Sequence, residues 1–275
     1  MGNFILYEFY IKKKSIRFPE LVHASTRLGL HPGWVSAGPS DNGYVSKWGG
    51  YSLKIKGWRT IYHSNGPQKK AGVAILISDK LKFTPKTVVR DEEGHYIILK
   101  GSIQQEDLTI LNIYAPNVEA AKYINQLLTE VKKYLVNNTL ILGDFNLALS
   151  ILDRSSKHNI SKEMRALNDT LDQMDFTDIY RTLHPNSIEY TFFSSAHGTF
   201  SRIDHILGHK SGLNWYQNIG IVPCIFSDHN ALKLELNQEE VWKDFKHVEV
   251  KDHPAKRWKG QPGNSRRIKI FMETI

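Results

Sequence analysis

Thr139-Leu140-Ile141-Leu142-Gly143-Asp144-Phe145-Asn146 is a short apolar run that stops at a glycine and two polar residues on either side of a phenylalanine. A run this short, bounded by a turn former, reads as a buried strand. Open α/β sheets place their ligands at the carboxyl ends of such strands. Residues i and i+2 of an extended chain share a side, so Asp144 and Asn146 are expected to reach one centre. There a carboxylate can orient or deprotonate water, and an amide can hold water or phosphate without adding charge. A polar strand-end turn is the competing reading, because Asp and Asn are ordinary turn formers.

Working outward, Ala71–Ile77 is a nearly continuous apolar run and a second buried strand. Tyr96–Ile103 and Leu108–Tyr114 flank the charged turn 104–107 and read as a hairpin. Ile124, Leu127, Leu128, Val131 and Leu135 recur at helical spacing over 117–136, and Met164, Leu167, Leu171 and Met174 do so over 161–174. Strands are expected at 189–193 and 202–207 around the loop Ser194–Ser201, and a last, alternating one at 231–236. Buried runs, alternating strands and two amphipathic helices predict two packed sheets with helices outside, an α/β sandwich. Residues 1–52 are poorly patterned, with Phe4–Tyr7 as a candidate strand and His31–Tyr51 as loop. Residues 237–275 are polar and basic and read as a linker or tail. The expected organisation is therefore an atypical segment 1–52, a domain over 53–236 and a tail over 237–275.

The chain has 275 residues, enough to bury a substantial core without disulfides. Hydrophobic residues at 41% and charged residues at 23% are those of a soluble globular protein. Its single cysteine, Cys224, excludes an internal disulfide. The start MGNFILYEFYIKKK has no small-residue cleavage site, and Leu6 stands where a myristoylation motif needs Ser or Thr. No window approaches the ~18 apolar residues of a membrane span. The expectation is an intracellular protein, nuclear or cytoplasmic, with no membrane partner. The formal net charge of +8 is compatible with nucleic acid and with anionic membranes.

Three further segments carry candidate chemistry. In Ser227-Asp228-His229 a carboxylate beside an imidazole favours the protonated ring, which can exchange a proton or stabilise an anionic phosphate; a solvent-facing loop histidine is the alternative. In Ser201-Arg202-Ile203-Asp204-His205 an Asp interrupts an apolar strand, and a buried carboxylate needs a partner. His229 is the natural candidate; a salt bridge to Arg202 or an edge-strand position is the alternative. Asn112-Ile113-Tyr114-Ala115-Pro116 ends a strand on a phenol that can donate to a phosphate oxygen or simply pack in the core.

Each signal is weak alone; their occurrence together, in this order and each at a strand end, is not. With LKIKGW, KKAGVAIL, EGHYI, KGSIQQEDLTILNIYAPN, GDFN, LDRS, DIYRTLHP, EYTFFS, IDHI and SDH, the chain from about Leu53 to Leu236 resembles the endonuclease domain of LINE-type retrotransposon second-open-reading-frame proteins. That domain is related to apurinic/apyrimidinic endonucleases, exonuclease III and DNase I, in the exonuclease–endonuclease–phosphatase superfamily. The resemblance implies a four-layer, DNase I-like α/β sandwich that hydrolyses one phosphodiester of double-stranded DNA, leaving a 3′-hydroxyl and a 5′-phosphate. It implies that Asp144 activates water with Asn146 beside it, that His229 contacts the scissile phosphate, that Asp204 orients His229, and that Tyr114 touches the phosphate. Asp228 and Asp144 would form the environment of Mg²⁺, with Mn²⁺ as the alternative. Arg154, Thr191, Ser201 and the loop Ser194–Ser201 would contact DNA.

The chain departs from this pattern at its start. Family members open with an Asn-bearing strand and then carry a Gln-Glu-Thr whose Glu is the principal metal ligand. Neither motif occurs here, and the Glu position falls near Asn42. Asp41, Glu20 and Glu8 are the available substitutes. The expectation is an impaired endonuclease, with a non-catalytic DNA-binding remnant as the alternative and a small-substrate phosphatase as a third class. Sequence alone leaves oligomeric state open.

Overall fold

A computed structural model describes residues 4–12, 47–48, 51–52, 60–66, 71–79, 81–103, 105–156, 161–224, 227–237 and 267–274. Two six-stranded sheets dominate it. The first runs β14 (Tyr216–Val222), β15 (Ala231–Asn237), β16 (Arg267–Thr274), β1 (Phe4–Lys12), β5 (Gly72–Ile77) and β4 (Thr60–Asn65). The second runs β10 (Phe176–Asp178), β13 (Asp204–His209), β9 (Thr139–Asp144), β8 (Glu106–Tyr114), β7 (Tyr96–Ile103) and β6 (Phe83–Arg90). Two small two-stranded sheets pair β2 (Lys47–Trp48) with β3 (Tyr51–Ser52), and β11 (Phe192–Ser194) with β12 (Thr199–Ser201).

The period-2 geometry of strands explains the layering. Ile97 and Leu99 of β7, with Ile110, Leu140, Leu142 and Ile206, face Val73, Ile75, Leu232 and Leu234 of the first sheet. Their neighbours Ile98, Leu111, Ile113, Ile141 and Leu207 point to the opposite face. There they meet helices α1 (Ala120–Val131) and α2 (Lys162–Gln173) through Ile124, Leu127, Leu128, Met164, Leu167 and Leu171. Ser161 caps α2 by accepting from the Met164 amide at 3.2 Å, a contact worth ~1 kcal/mol. Burying one leucine such as Leu167 is worth roughly 1.5–3 kcal/mol, so the apolar stripe, not the cap, holds the helix in place. The expected α/β class is observed, and the described residues carry three of the four expected layers: helices, second sheet and first sheet.

Several elements differ from the sequence reading. Arg267–Thr274, expected in a polar tail, forms β16 between β15 and β1; Ile268, Ile270 and Met272 alternate with charged or aromatic residues in a segment too short to stand out. The edge strand β6 is mostly exposed and tolerates Pro85 beside a bulge, so it carries no hydrophobic pattern. Helix α1 stops at Val131 and tightens into a 3₁₀ turn over Lys132–Tyr134, and Leu135 is extended. Of the expected loop Ser194–Ser201, both ends belong to the hairpin β11–β12.

The topology gathers strand ends. β8 and β9 are parallel with Tyr114 opposite Asp144, and β13 runs antiparallel to β9 with Asp204 opposite Asp144. The Asn112 amide donates across the two sheets to the Ala74 carbonyl at 3.0 Å, so β5 begins at the same edge where β8 and β9 end. β1 is parallel to β5 from Phe4 opposite Gly72. Glu8, one of the substitute carboxylates, is in register with Leu76 and Phe271, in mid-strand. Asp41 and Glu20 lie outside the described residues.

Candidate active site

Gly143 shapes the end of β9. Its φ of +148° is one that L side chains rarely adopt, and a Cβ there would lie 1.9 Å from the Ile113 carbonyl oxygen. The chain then turns sharply: Asn146 sits at φ +50°. It stays beside Asp144 through this left-handed turn, not through the extended i, i+2 relation expected. The Asn146 amide donates to Asp144 Oδ1 at 2.8 Å, and its Nδ2 donates to the Ala115 carbonyl at 2.7 Å, tying the ends of β8 and β9 together.

Asp144, Asp204 and His229 are all buried, and their ligand atoms lie within 4.8 Å of one another. Two carboxylates directly opposite across a ladder destabilise it. Burial, together with the nearby charge of Asp204, pushes the Asp144 carboxyl up to about 7. His229 Nδ1 donates to Asp204 Oδ2 at 2.8 Å. Burial alone would lower the His229 pKa, but the Asp204 charge and hydrogen bond outweigh it and raise the ring to about 9. Of the two partners that sequence allowed Asp204, the structure pairs it with His229. Tyr114 is half-buried beside Asp144, and burial followed by that charge raises its phenol, which stays protonated at neutral pH. Asp228 lies exposed at the rim and is not one of the three converging groups, although its charge acts on both Asp144 and His229.

The donor set fits a hard divalent cation. Mg²⁺ takes oxygen ligands, keeps several waters, and is usually held by one or two carboxylates plus phosphate oxygens. Asp144 and Asp204 supply the carboxylates, and a cation between them would offset the repulsion that raises Asp144. His229 is engaged through Nδ1 with Asp204 and would not be a ligand while protonated.

A second group, Asp153, Asp178 and His205, has the same composition and the same 4.8 Å convergence. Here Arg202, fully buried, donates to Asp153 Oδ1 from Nε and Nη2 at 3.0 and 2.8 Å and to Asp178 Oδ2 at 2.7 Å. Arg181 adds a contact to Asp153 at 2.5 Å. Burial would raise the Asp178 carboxyl, but Arg202 and His205 hold it well below the usual range. The cation position is taken by guanidinium. This network escaped the sequence reading; its signal was that Asp178 and Arg202 each adjoin a buried isoleucine, Ile179 and Ile203, whereas Asp153 stands between exposed Leu152 and half-buried Arg154.

Of the expected DNA contacts, Arg154 and Ser201 face each other across an isolated bridge at the base of the β11–β12 hairpin, both half-buried. Thr191 is fully buried, and its hydroxyl accepts from the Ile203 and Asp204 amides at 3.2 and 3.3 Å. The hairpin exposes Phe193 and Phe200, 42% and 48% accessible, with ring centroids 4.6 Å apart. Its inner residue Phe192 lies against His229 at 4.7 Å between ring centroids.

Two facing sheets that end in an opposed carboxylate pair and a carboxylate–imidazole dyad define a nuclease-like α/β sandwich. The model of the Endonuclease/Exonuclease/phosphatase family matches residues 21–229, and the chain belongs to that family. The match begins inside the segment that the sequence reading set apart as residues 1–52. The fold, of DNase I-like type, is similar to that of the catalytic domain of Xenopus laevis APE2, with TM-score 0.56 and 21% identity over 67% of this chain and 77% of that one. An AP endonuclease from Archaeoglobus fulgidus gives TM-score 0.51 and 22% identity over 64% of this chain and 78% of that one. The Neisseria 3′ phosphatase NExo, solved with a product DNA hairpin, gives TM-score 0.54 and 18% identity over 86% of this chain and all of that one.

Proposed function

We propose that this protein is a Mg²⁺-dependent DNA endonuclease of the LINE retrotransposon type, slow because the family's N-terminal Glu ligand is missing. The observation that carries the reading is the convergence of Tyr114, Asp144, Asn146, Asp204 and His229 at one sheet edge. Asp144 orients the attacking water and accepts its proton. Water adds to phosphorus, the P–O3′ bond breaks, the leaving O3′ takes a proton from solvent, and a 3′-hydroxyl and a 5′-phosphate result. The protonated His229 ring, oriented by Asp204, stabilises the charge that develops on the phosphate. The Tyr114 phenol donates to a phosphate oxygen, and Asn146 holds the two strand ends in register. Mg²⁺, held by Asp144 and Asp204 with Asp228 at the rim, would polarise the phosphate oxygens.

Double-stranded DNA is the partner that the basic charge and the exposed Phe193–Phe200 hairpin support. Supercoiled plasmid with Mg²⁺ should convert to open circles whose ends are 3′-hydroxyl and 5′-phosphate, and EDTA should stop the conversion. A salt-dependent mobility shift without any nicking would favour the DNA-binding remnant instead. Release of phosphate from a 3′-phosphorylated end without internal cleavage would favour the phosphatase.

A further inference from the structure

We infer that Thr191 is a positioning residue that sets the Asp204–His229 pair, and that it is not a DNA contact. The inference rests on the endonuclease reading above for the role of that pair. Thr191 has no exposed surface. Its hydroxyl oxygen accepts from two successive amides, Ile203 at 3.2 Å and Asp204 at 3.3 Å, where β13 begins. Its own amide donates to the Ser201 carbonyl at 3.1 Å, and its carbonyl accepts from the Asn230 amide at 2.6 Å. One residue therefore clasps both the strand start that carries Asp204 and the backbone immediately after His229.

Two neighbours reinforce the clasp. Asn230 Nδ2 donates to the Tyr190 carbonyl at 3.3 Å, and Phe192 bridges to His229 with its ring against the imidazole. The 2.8 Å bond from His229 Nδ1 to Asp204 Oδ2 closes between the two arms. A valine keeps the shape of Thr191 but offers no acceptor, leaving two buried amides to find another partner. The start of β13 then shifts, and Asp204 with it. A serine keeps the oxygen. Small displacements of an orienting group are felt mainly in turnover, whereas loss of a phosphate contact is felt in affinity.

The test compares wild type, Thr191→Val and Thr191→Ser on a nicked-product assay and on equilibrium binding of a short DNA duplex. Thr191→Val should lower kcat by about 10–100-fold while KM and duplex Kd stay within about twofold, and Thr191→Ser should recover most of kcat. Unchanged kcat in Thr191→Val, or a raised Kd with kcat intact, would overturn the inference. Should Thr191→Val not fold, Thr191→Cys, with a weaker acceptor of similar size, should show the same kcat-only loss to a smaller degree. Should the wild type cleave nothing, the endonuclease reading fails separately. Amide exchange then decides for Thr191: Ile203 and Asp204 should exchange faster in Thr191→Val, and equal rates overturn the clasp.

Discussion

Two buried clusters of this protein, Asp144–Asp204–His229 and Asp153–Asp178–His205, share one composition and differ, among the described residues, in their arginine partners. The second includes Arg202, which donates to both of its carboxylates and stacks at 4.8 Å on the Tyr180 ring. The first has an opposed Asp pair with a single histidine, and its Asp144 is pushed up to about 7. Identical residue types thus give a brace where a guanidinium balances the charge and a reactive centre where the balance is incomplete. The brace is joined to the reactive centre through the chain, since Arg202 lies two residues before Asp204, and its amide bonds the Asp153 carbonyl at 2.8 Å.

The comparison breaks most visibly at the reactive cluster. His229→Ala and Asp204→Ala should each lower the nicking rate by about 10³-fold, roughly 4 kcal/mol of transition-state stabilisation. Urea melts measured alongside should show that both variants remain folded. The brace should behave in the opposite sense. Arg202→Met leaves Asp153 and Asp178 buried without their main cation, and breaking such a network costs about 3–5 kcal/mol. Its urea midpoint should fall, whereas a surface change such as Lys122→Met should leave it alone.

Proton linkage sharpens the contrast. The Asp144 carboxyl is raised from an unfolded value near 4 to about 7. Its protonated form therefore favours folding, and that contribution is lost as pH rises through 7. His229, raised to about 9, contributes stability that is complete below about 6.5 and is lost as pH rises through 9. Asp178, held low, contributes stability that is present above pH ~4 and lost on acidification. The cation-free melting temperature should thus decline from pH 5.5 to 9, and Mg²⁺ should restore more of it at pH 8 than at pH 5.5. An equal Mg²⁺ effect at both pH values would count against Asp144 as a ligand. The smallest effect belongs to the hairpin: Phe193→Ala with Phe200→Ala should weaken duplex binding by about 1 kcal/mol, near fivefold, without changing cleavage at saturating protein.

The two clusters also differ in how far they could be read from sequence. Asp144 and Tyr114 end apolar runs and His229 stands just before one, so patterning offered them as strand-end candidates but left a turn, a core tyrosine and a loop histidine as equal readings. The brace joins Asp153 to Arg202 across 49 positions, and no local pattern reports a pairing that only tertiary packing creates. Asp204 lay between these cases: an Asp inside an apolar strand was legible, its partner was not, and the fold pairs it with His229. Thr191 was legible only as a match to a DNA-reading region, because a hydroxyl that accepts from backbone amides leaves no trace in composition or spacing. β16 and β6 escaped for a simpler reason: one is a short alternation in a basic segment, and the other is an exposed edge strand with no apolar face to recognise.

Asp144→Asn, measured for cleavage and for melting at pH 8 in one preparation, puts the central contrast to its sharpest test. Neutralising one of two opposed buried carboxylates should stabilise the fold by on the order of 2–4 kcal/mol while abolishing Mg²⁺-dependent nicking. A variant that is less stable than wild type, or that nicks as fast, would contradict the account of Asp144 as a strained, reactive carboxylate.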